Sequence, residues 1–436
     1  MPPSPLEWLP EGHLARFILD LVKELDLTRI YAHYERELRG YPPHHPLMMV
    51  ALLLYGYCVG VPSSRKIERK THEDVAFRVI AGGEHPDHTR LSEFRRIHLD
   101  ALADLFVQVL KLCQKAGLVK LGAVALDGTK VKANASKHKA MSYDRMQKDE
   151  ERLRNKVVEL LAAAERVDAA EDAEHGVGRR GDELPEELQR TEDRLRKIRE
   201  AKAALEAEAK QGKEEEQAAK DDDDPPPGPR ETPLPKHKVP TTTDGTPTDK
   251  AQRNFTDPDS RIMKTGDGYV QGYNCQVAVD AANQIIIAQA VTNQPPDPEH
   301  LIPLLVKTVD NCGAKPEKLI ADAGYFSENN VCEALKWDVD PYIATGRQRH
   351  DVTPPPVRGR PPSDMSIKDA MARKLATKAG KAVYSRRKVI VEPVFGQIKE
   401  ARGLRRFLLR GLQKVRGEWS LITLTHNILK LHGATA

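Results

Sequence analysis

Apolar residues recur at helical spacing through the first 120 residues of the chain. The stretch LMMVALLLYGYCVG is almost wholly apolar and predicts a buried helix. Thr71 and Asp74 have the spacing of a capping box, and Gly117 follows a long amphipathic stretch as a stop signal. The pattern therefore predicts an all-helical domain over 1–120, with helices over 47–60, 71–83 and 89–118.

The pattern changes to strand-like alternation after residue 120. LGAVALDGTKVKANAS (121–136) predicts a strand that carries Asp127 near its middle, and 267–294 predicts a β-hairpin. Two further strands, KLIADAGYFS and DPYIAT, alternate with helices. This order predicts an α/β core with a mixed sheet and helices on its faces.

Two long stretches rich in Ala, Glu, Lys, Arg and Leu interrupt that core, at 142–172 and 183–219. Their apolar residues follow heptad spacing, which predicts a helical hairpin, a short antiparallel coiled coil. Thr191 and Lys202 occupy two of the expected apolar positions. The hairpin either joins copies of the chain or is a solvated excursion. The seam residues are Met146, Leu153, Val157, Leu160, Ala164 and Val167 in the first stretch, and Leu188, Leu195, Ile198 and Leu205 in the second.

Low-complexity sequence follows the predicted hairpin, and DDDDPPPGPRETPLPKHKVPTTTDGTPTDK indicates disorder. A second basic, Pro-rich loop precedes the last helical stretch. The predicted domains are 1–120 (helical), 137–220 (hairpin), 221–264 (mostly disordered linker), and 121–136 with 265–432 (mixed-sheet core).

Composition places limits on the class of protein. The chain has 436 residues, 39% hydrophobic and 30% charged, and a net charge of only +4, which by itself does not indicate a nucleic-acid partner. The distribution says more, because 381–416 holds eleven Lys or Arg against Glu392 and Glu400. The helical domain also carries basic residues, which either dock on DNA or are ordinary solvated faces.

Five scattered cysteines lack metal-ligand spacing and fit free thiols in a reducing cytoplasm. The N-terminal MPPSPLEWLP lacks the features of a signal peptide, and the longest apolar run is too short to cross a bilayer. We therefore expect a cytoplasmic protein without a membrane partner.

Three acidic residues occupy positions where chemistry is expected. Asp127 lies within the first predicted strand, Asp322 ends the fourth, and Glu392 lies on the last basic helix. If the two strands are neighbours, their backbones lie about 4.8 Å apart, and two carboxylates so close favour a bound cation. Glu392 would then complete an oxygen cage for Mg²⁺. Each acid also has a structural alternative: Asp127 as a turn residue before Gly128, Asp322 as a helix cap, and Glu392 as a surface ion-pair partner.

The helix around Glu392 favours contact with a phosphodiester. At helical periodicity, Tyr384, Lys388, Glu392 and Lys399 share a stripe about 80° wide, whereas Arg387 lies off it. Pro393 predicts a kink or a helix start at this point. The structural alternative is an ion pair between Lys388 and Glu392.

Several stretches resemble bacterial insertion-sequence transposases of the DDE type. ALDGTKVKANAS, LIADAGYFS and YSRRKVIVEPVFGQIKEARGLRRFLLRG resemble the three acidic motifs of that family. HHPLMMVALLLYGY and FRVIAGGEHPDHTRLSEFRRIH resemble its N-terminal helical domain. The resemblance covers about 40–136 and 255–432.

The resemblance implies a ribonuclease H-like core in which Asp127, Asp322 and Glu392 bind two Mg²⁺ ions, with Mn²⁺ as a substitute. The family's last motif is matched by Tyr384, Glu392 and Lys399, while its basic residue is matched by either Arg387 or Lys388. The helical domain would bind the ends of the element. Joining two ends of an element to target DNA implies a homodimer or larger complex at the nucleoid. The residues expected to bind DNA are Tyr384, Arg387, Lys388, Lys399, Arg402, Arg405 and Arg406.

Three hypotheses follow. The first is a Mg²⁺-dependent transposase that cuts the ends of a mobile element and joins their 3′-hydroxyls to target DNA. The second is a nuclease of the same fold that does not join strands. The third is a DNA-binding protein whose acids are structural.

Overall fold

The computed structural model describes residues 5–34, 44–175, 186–221, 234–346 except 236 and 267, and 362–435 except 363. The described chain divides into two compact units. The first comprises 1–134, 227–235 and 273–436, and the second 135–226 and 236–272.

Among the described residues, seven α-helices form the N-terminal part of the first unit. Asp74 breaks the helix predicted over 71–83, because its carboxylate accepts hydrogen bonds from Ala76 N and Phe77 N and begins a new helix. The helix predicted over 89–118 is likewise two helices, which meet at His98. The seven are α1 (Leu14–Glu24), α2 (Thr28–Tyr34), α3 (Pro46–Cys58), α4 (Ser64–Glu73), α5 (Val75–Ile80), α6 (His88–Ile97) and α7 (Leu99–Lys115).

The second unit holds the two long helices at the predicted hairpin positions, and its other elements are short strands. The elements are β2 (Ala140–Ser142), α8 (Tyr143–His175), α9 (Glu186–Asp221), β3 (Gln252–Asn254) and β4 (Arg261–Thr265). Strand β3 and all but the last residue of β4 lie within 221–264, where the sequence predicts a mostly disordered linker. Hydrogen bonds of buried Asn254 help to hold this segment in a defined conformation. Its side chain accepts hydrogen bonds from two backbone N–H groups and donates one to Ser136 O.

The two irregular seam positions have polar partners within the hairpin. Thr191 is buried and its hydroxyl donates to Glu187 O at 2.6 Å. Lys202 Nζ lies 3.0 Å from Glu150 Oε2, and the same carboxylate also pairs with Arg154 and Arg199. The apolar seam residues Met146, Leu153, Leu188, Leu195, Ile198 and Leu205 are buried. Residues 176–185 and the side chains of Ala164 and Val167 lie outside the described residues.

The sheet of the first unit begins at β1, the strand of Asp127. The elements after it are β5 (Gly268–Asp280), β6 (Ile286–Thr292), α10 (Leu301–Cys312), β7 (Lys318–Ala321), α11 (Glu328–Lys336), β8 (Asp340–Ile343), α12 (Ile367–Ala376), α13 (Lys378–Gly396) and α14 (Leu412–Thr435), and β1 itself spans Val124–Lys132. The strand order is β6-β5-β1-β7-β8. Strands β5 and β6 form the predicted antiparallel hairpin, whereas β1, β7 and β8 run parallel.

This mixed sheet with its helices has the predicted ribonuclease H-like arrangement. Strands β1 and β7 are buried along their apolar positions, which fixes them in the centre of the sheet. Helix α14 packs on α3, α7 and β6, and α13 packs on β1, β7 and β8. The five cysteines are free, as expected. None of the described helices is long and apolar enough to cross a membrane.

Candidate active site

The register of the central strands brings two of the predicted acids to one level of the sheet. Leu126 on β1 pairs with Ala321 at the end of β7 in parallel register, and Asp127 and Asp322 are the residues that follow them in the chain. Neighbouring strands lie about 4.8 Å apart, so the two carboxylates emerge side by side. The neighbouring strands on which the acidic-site hypothesis depended are therefore present.

Asp127 is held at both carboxylate oxygens. Its side chain is 16% exposed, its Oδ1 accepts a hydrogen bond from Gly128 N at 2.8 Å, and its Oδ2 lies 2.8 Å from Arg387 Nη1. Asp127 and Gly128 both lie inside β1. The alternative in which Asp127 is a turn residue is therefore wrong.

Asp322 has the position of a cap as well as that of a site residue. It precedes a short 3-10 turn, Ala323–Tyr325, and its Oδ1 accepts a hydrogen bond from Gly324 N at 2.8 Å. Asp322 therefore caps this short turn and not the following helix α11, which Ser327 caps, and it remains in the neighbourhood of Asp127. Capping fixes one oxygen and with it the direction of the carboxylate.

Helix α13 supplies the cation of the site. The carboxylate of Asp127 raises the pKa of the Arg387 guanidinium despite the opposing effect of burial. Tyr384 lies one turn earlier, and burial raises the pKa of its hydroxyl while a hydrogen bond to Arg387 lowers it. Of the two candidates for the basic residue of the motif, Arg387 contacts Asp127, whereas Lys388 is exposed.

Arg387, and not Lys388, lies on the face of α13 that packs on the sheet, which differs from the stripe predicted from helical periodicity. The residues of α13 that pack on the sheet include Ile390, Val391 and Val394, and Arg387 projects with them. Lys388 and Glu392 project about 100° or more away from the direction of Arg387. Helix α13 continues through Pro393 to Gly396, and a π-helical turn over Gln397–Ala401 then shifts the phase of Lys399.

Glu392 is exposed on α13. Its negative charge contributes to raising the pKa of the Arg387 guanidinium. It does not form the surface ion pair with Lys388 that was its structural alternative, although both residues are described. Nor do the described residues include any group of three Asp, Glu, His or Cys side chains placed to hold a metal ion. The structure brings Asp127 and Asp322 together and leaves Glu392 outside that pair.

Burial raises the pKa of Asp127 to about 6, opposed first by Arg387 and reinforced by the neighbouring Asp322 and Asp297. Burial, together with the two neighbouring carboxylates, therefore outweighs the effect of the Arg387 guanidinium on Asp127. A divalent cation fits Asp127 and Asp322 on two grounds: they offer hard oxygen ligands, and their charge is incompletely neutralised.

The remaining predicted DNA-binding residues divide into exposed and buried ones. Lys399 Nζ donates to Thr129 Oγ1 and, at 3.0 Å, to Lys130 O, so it lies along β1 two residues beyond Asp127. Arg405 and Arg406 are exposed, and Arg405 pairs with Glu400. The backbone around Arg406 pairs with Lys132 at the end of β1.

Arg402, which was expected to bind DNA, is buried. It is only 6% exposed, and its guanidinium donates to Thr425 Oγ1 at 2.8 Å and to Ile422 O at 3.2 Å. Burial lowers its pKa to about 10. Arg402 therefore tethers the segment after α13 to α14 and cannot contact DNA in this arrangement.

Sequence reasoning missed Asp297, which lies just before α10. Its Oδ1 accepts hydrogen bonds from Asn274 Nδ2 and Gln276 Nε2, both at 2.7 Å, and from Lys130 Nζ at 3.3 Å. A Cβ atom at Gly324 would lie 3.0 Å from Asp322 Oδ1 and 3.4 Å from Asp297 Oδ2, so these two carboxylates approach the same glycine. The available signal was Asn-Cys-Gln in β5, since two polar residues at strand spacing point to the same face of an otherwise apolar strand.

Two family models match the chain. One, described as Transposase domain (DUF772), matches residues 4–96, and the other, described as Transposase DDE domain, matches residues 236–428. The chain belongs to the DDE-type transposases of insertion sequences. No curated protein and no solved structure matches it.

The two matches fall on different parts of this transposase. The N-terminal match covers α1 to most of α6, and the second covers the strands and helices from β3 to most of α14, including Asp322 and Glu392. Asp127 and the long helices α8 and α9 lie between the matched ranges. DNA is the partner that the family implies for the transposase.

Proposed function

We propose that this transposase cuts the ends of its mobile element and joins the freed 3′-hydroxyls to target DNA at the site of Asp127 and Asp322. The observation that carries the proposal is the placement of these two carboxylates side by side on parallel neighbouring strands, with Arg387 at 2.8 Å from Asp127. Paired carboxylates on neighbouring strands suit phosphoryl transfer, because they can hold the cations that balance phosphate charge.

Asp127 and Asp322 are the residues that would hold Mg²⁺, with Mn²⁺ as a substitute. The bound cation would supply Lewis-acid activation of a water or a 3′-hydroxyl and neutralise charge on the leaving oxygen. We propose Glu392 as the third carboxylate, which requires α13 to present it to the site when DNA and cations are bound.

The chain's own cations have separate roles in this proposal. Arg387 keeps Asp127 ionised and offers its remaining N–H groups to a phosphate oxygen. Lys399 is held along β1 close to Asp127, where it can contact the phosphate next to the cleaved bond. Arg405 and Arg406 continue the basic surface and would follow the DNA backbone.

The larger assembly is part of the same proposal. Joining two ends requires at least two copies of the transposase, and the N-terminal helices are our candidates for binding the element's terminal repeats. Because its substrate is chromosomal DNA, we place the protein in the cytoplasm at the nucleoid.

A cleavage and joining assay tests the proposal. Purified transposase is mixed with labelled DNA that carries the element's own ends and with a target plasmid, in Mg²⁺ or in EDTA. We expect metal-dependent nicks that leave 3′-hydroxyls at the element boundary, followed by joined products. Asp127→Asn and Asp322→Asn should each lower both products at least 100-fold while end binding is retained.

Asp338→Asn is the matched control, because Asp338 is 90% exposed and pairs with Lys315 at the surface. Cleavage without joining would support a nuclease of the same fold. Unchanged activity of both site variants would show that the two aspartates are structural.

A further inference from the structure

Buried polar side chains lie beside the two aspartates, and the proposed reaction gives them no role. Asn274 and Gln276 on β5 are fully buried, and Tyr325, three residues after Asp322, is 1% exposed. Polar groups are costly to bury unless they are hydrogen bonded, so a network of this kind specifies one arrangement of the segments that it joins.

Gln276 is the centre of the network. Its Oε1 accepts a hydrogen bond from the Tyr325 hydroxyl. Its Nε2 donates to Asp297 Oδ1 at 2.7 Å and to Asn274 Oδ1 at 2.9 Å. Because a carboxylate oxygen only accepts, Asp297 fixes the orientation of the amide.

The same side chain packs against the backbone next to Asp127. A Cβ atom at Gly128 would lie 2.4 Å from Gln276 Nε2. A long side chain can normally move away from such a contact, but Gln276 is held by hydrogen bonds at both ends of its amide. Glycine at position 128 therefore lets Gln276 lie directly against the strand that carries Asp127.

We propose that Gln276 is a positioning residue of the acid site. It is in contact with Gly128, next to Asp127, and it binds Tyr325 in the turn that Asp322 caps. Gln276 thereby fixes the spacing of the two carboxylates, while Asp297 and Asn274 hold the amide in place. This inference rests on the proposed function, because the spacing matters only if the two aspartates act together.

The test separates positioning from stability and from DNA binding. Gln276→Met keeps the volume and removes the hydrogen bonds, and Tyr325→Phe removes a single hydroxyl. Gln289→Met is the matched control, since Gln289 lies on the neighbouring strand β6 and its amide binds Ser420. For each variant, the single-turnover rate of end cleavage at saturating DNA, the Kd for end DNA and the urea unfolding midpoint are measured.

We expect Gln276→Met to lower the cleavage rate by about 10–100-fold with Kd changed less than threefold, since misplacement near 1 Å can cost about 100-fold. Tyr325→Phe should lower the rate less, and the double variant should be no slower than Gln276→Met. Gln289→Met should cleave at the normal rate even if its unfolding midpoint falls as far.

Two outcomes would overturn the inference: a normal rate in both variants, or a rate that falls only in proportion to stability, as in the control. If Gln276→Met does not fold, Tyr325→Phe and its rate decide the matter alone. An unmodified chain that does not cleave would instead overturn the proposed function, and with it this inference.

Discussion

At the scale of single residues, the two aspartates of the site have different environments. Asp127 lies on β1, is mostly buried, and forms an ion pair with Arg387 of α13, which favours its ionised form. Asp322 instead caps a turn with one of its carboxylate oxygens. Burial raises the pKa of Asp127 to about 6 even with the guanidinium in place. The Asp127–Arg387 pair is therefore where charge, stability and function are most closely linked.

Arg387→Gln should make stability strongly dependent on pH. With the cation removed, the folded-state pKa of Asp127 rises further above its unfolded value, so stability is retained at low pH and lost as pH rises through that pKa. We expect the variant to lose about 2–3 kcal/mol of unfolding free energy at pH 8 and much less at pH 5. Urea unfolding at the two pH values, without divalent cations, measures this difference.

Lys388→Gln is the control, because Lys388 is the exposed neighbour and should change stability by less than about 0.5 kcal/mol. Adding Asp127→Asn to Arg387→Gln should recover most of the loss at pH 8. An equal loss at both pH values would contradict the ion-pair explanation.

At the scale of elements, α14 ties the sheet to the N-terminal helices. It is buried along most of its length and packs on α3, α7 and β6. Gly417 allows a close approach of α14 to α7, because a Cβ atom there would lie 2.4 Å from Leu99 Cγ at the start of α7. The sheet that carries the acids and the helices expected to bind DNA are therefore joined by one tightly packed helix.

Gly417→Ala should destabilise the protein although alanine favours helices. Overpacking against Leu99 costs roughly 1–3 kcal/mol, against a gain of about 1 kcal/mol from helix propensity. Gly433→Ala in the same helix is the matched control, since no atom lies within 4 Å of the added Cβ, and it should be neutral or slightly stabilising. The prediction is tested by comparing the thermal unfolding temperatures of both variants. Equal stabilisation by both substitutions would show that α14 and α7 are not in close contact at Gly417.

At the scale of the whole molecule, charge is distributed unevenly. The net charge is only +4, because 68 Lys and Arg residues are nearly balanced by 64 Asp and Glu residues. The segment after α13 exposes three arginines, Arg405, Arg406 and Arg410. It lies next to the C-terminal end of β1, the strand that also carries Asp127. A local basic surface of this kind attracts DNA without making the whole protein strongly basic.

Replacing Arg405, Arg406 and Arg410 by Gln should weaken DNA binding and flatten its salt dependence. Each lost phosphate contact reduces the slope of log Kd against log salt by about 0.9, so we expect a reduction of roughly 2–3. The effect should be equal for element ends and unrelated DNA, because phosphate contacts carry no sequence information.

Lys315→Gln with Lys336→Gln is the control for this charge removal, since both lysines pair with surface carboxylates elsewhere on the first unit. An unchanged slope in the triple variant would exclude this surface from DNA contact.

The sequence by itself determined many of the elements, among them the strands that carry the acids. Period-two alternation and β-branched residues mark β1, β5 and β6, and heptad spacing marks α8 and α9, because these patterns are local consequences of burial. Asp127 and Asp322 could be chosen as candidate site residues from the sequence, because a carboxylate within or directly after an apolar strand is unusual.

Only the tertiary structure decided which other side chains meet those acids. The face of α13 that packs on the sheet set Arg387 against Asp127 and turned Lys388 to solvent, and helical spacing cannot reveal which face will pack. Hydrogen bonds likewise join residues that are far apart in the chain. Buried Arg402 donates to Thr425, and Gln276 is hydrogen bonded to both Asp297 and Tyr325. Long-range contacts depend on how whole elements pack, and local sequence patterns do not contain that information.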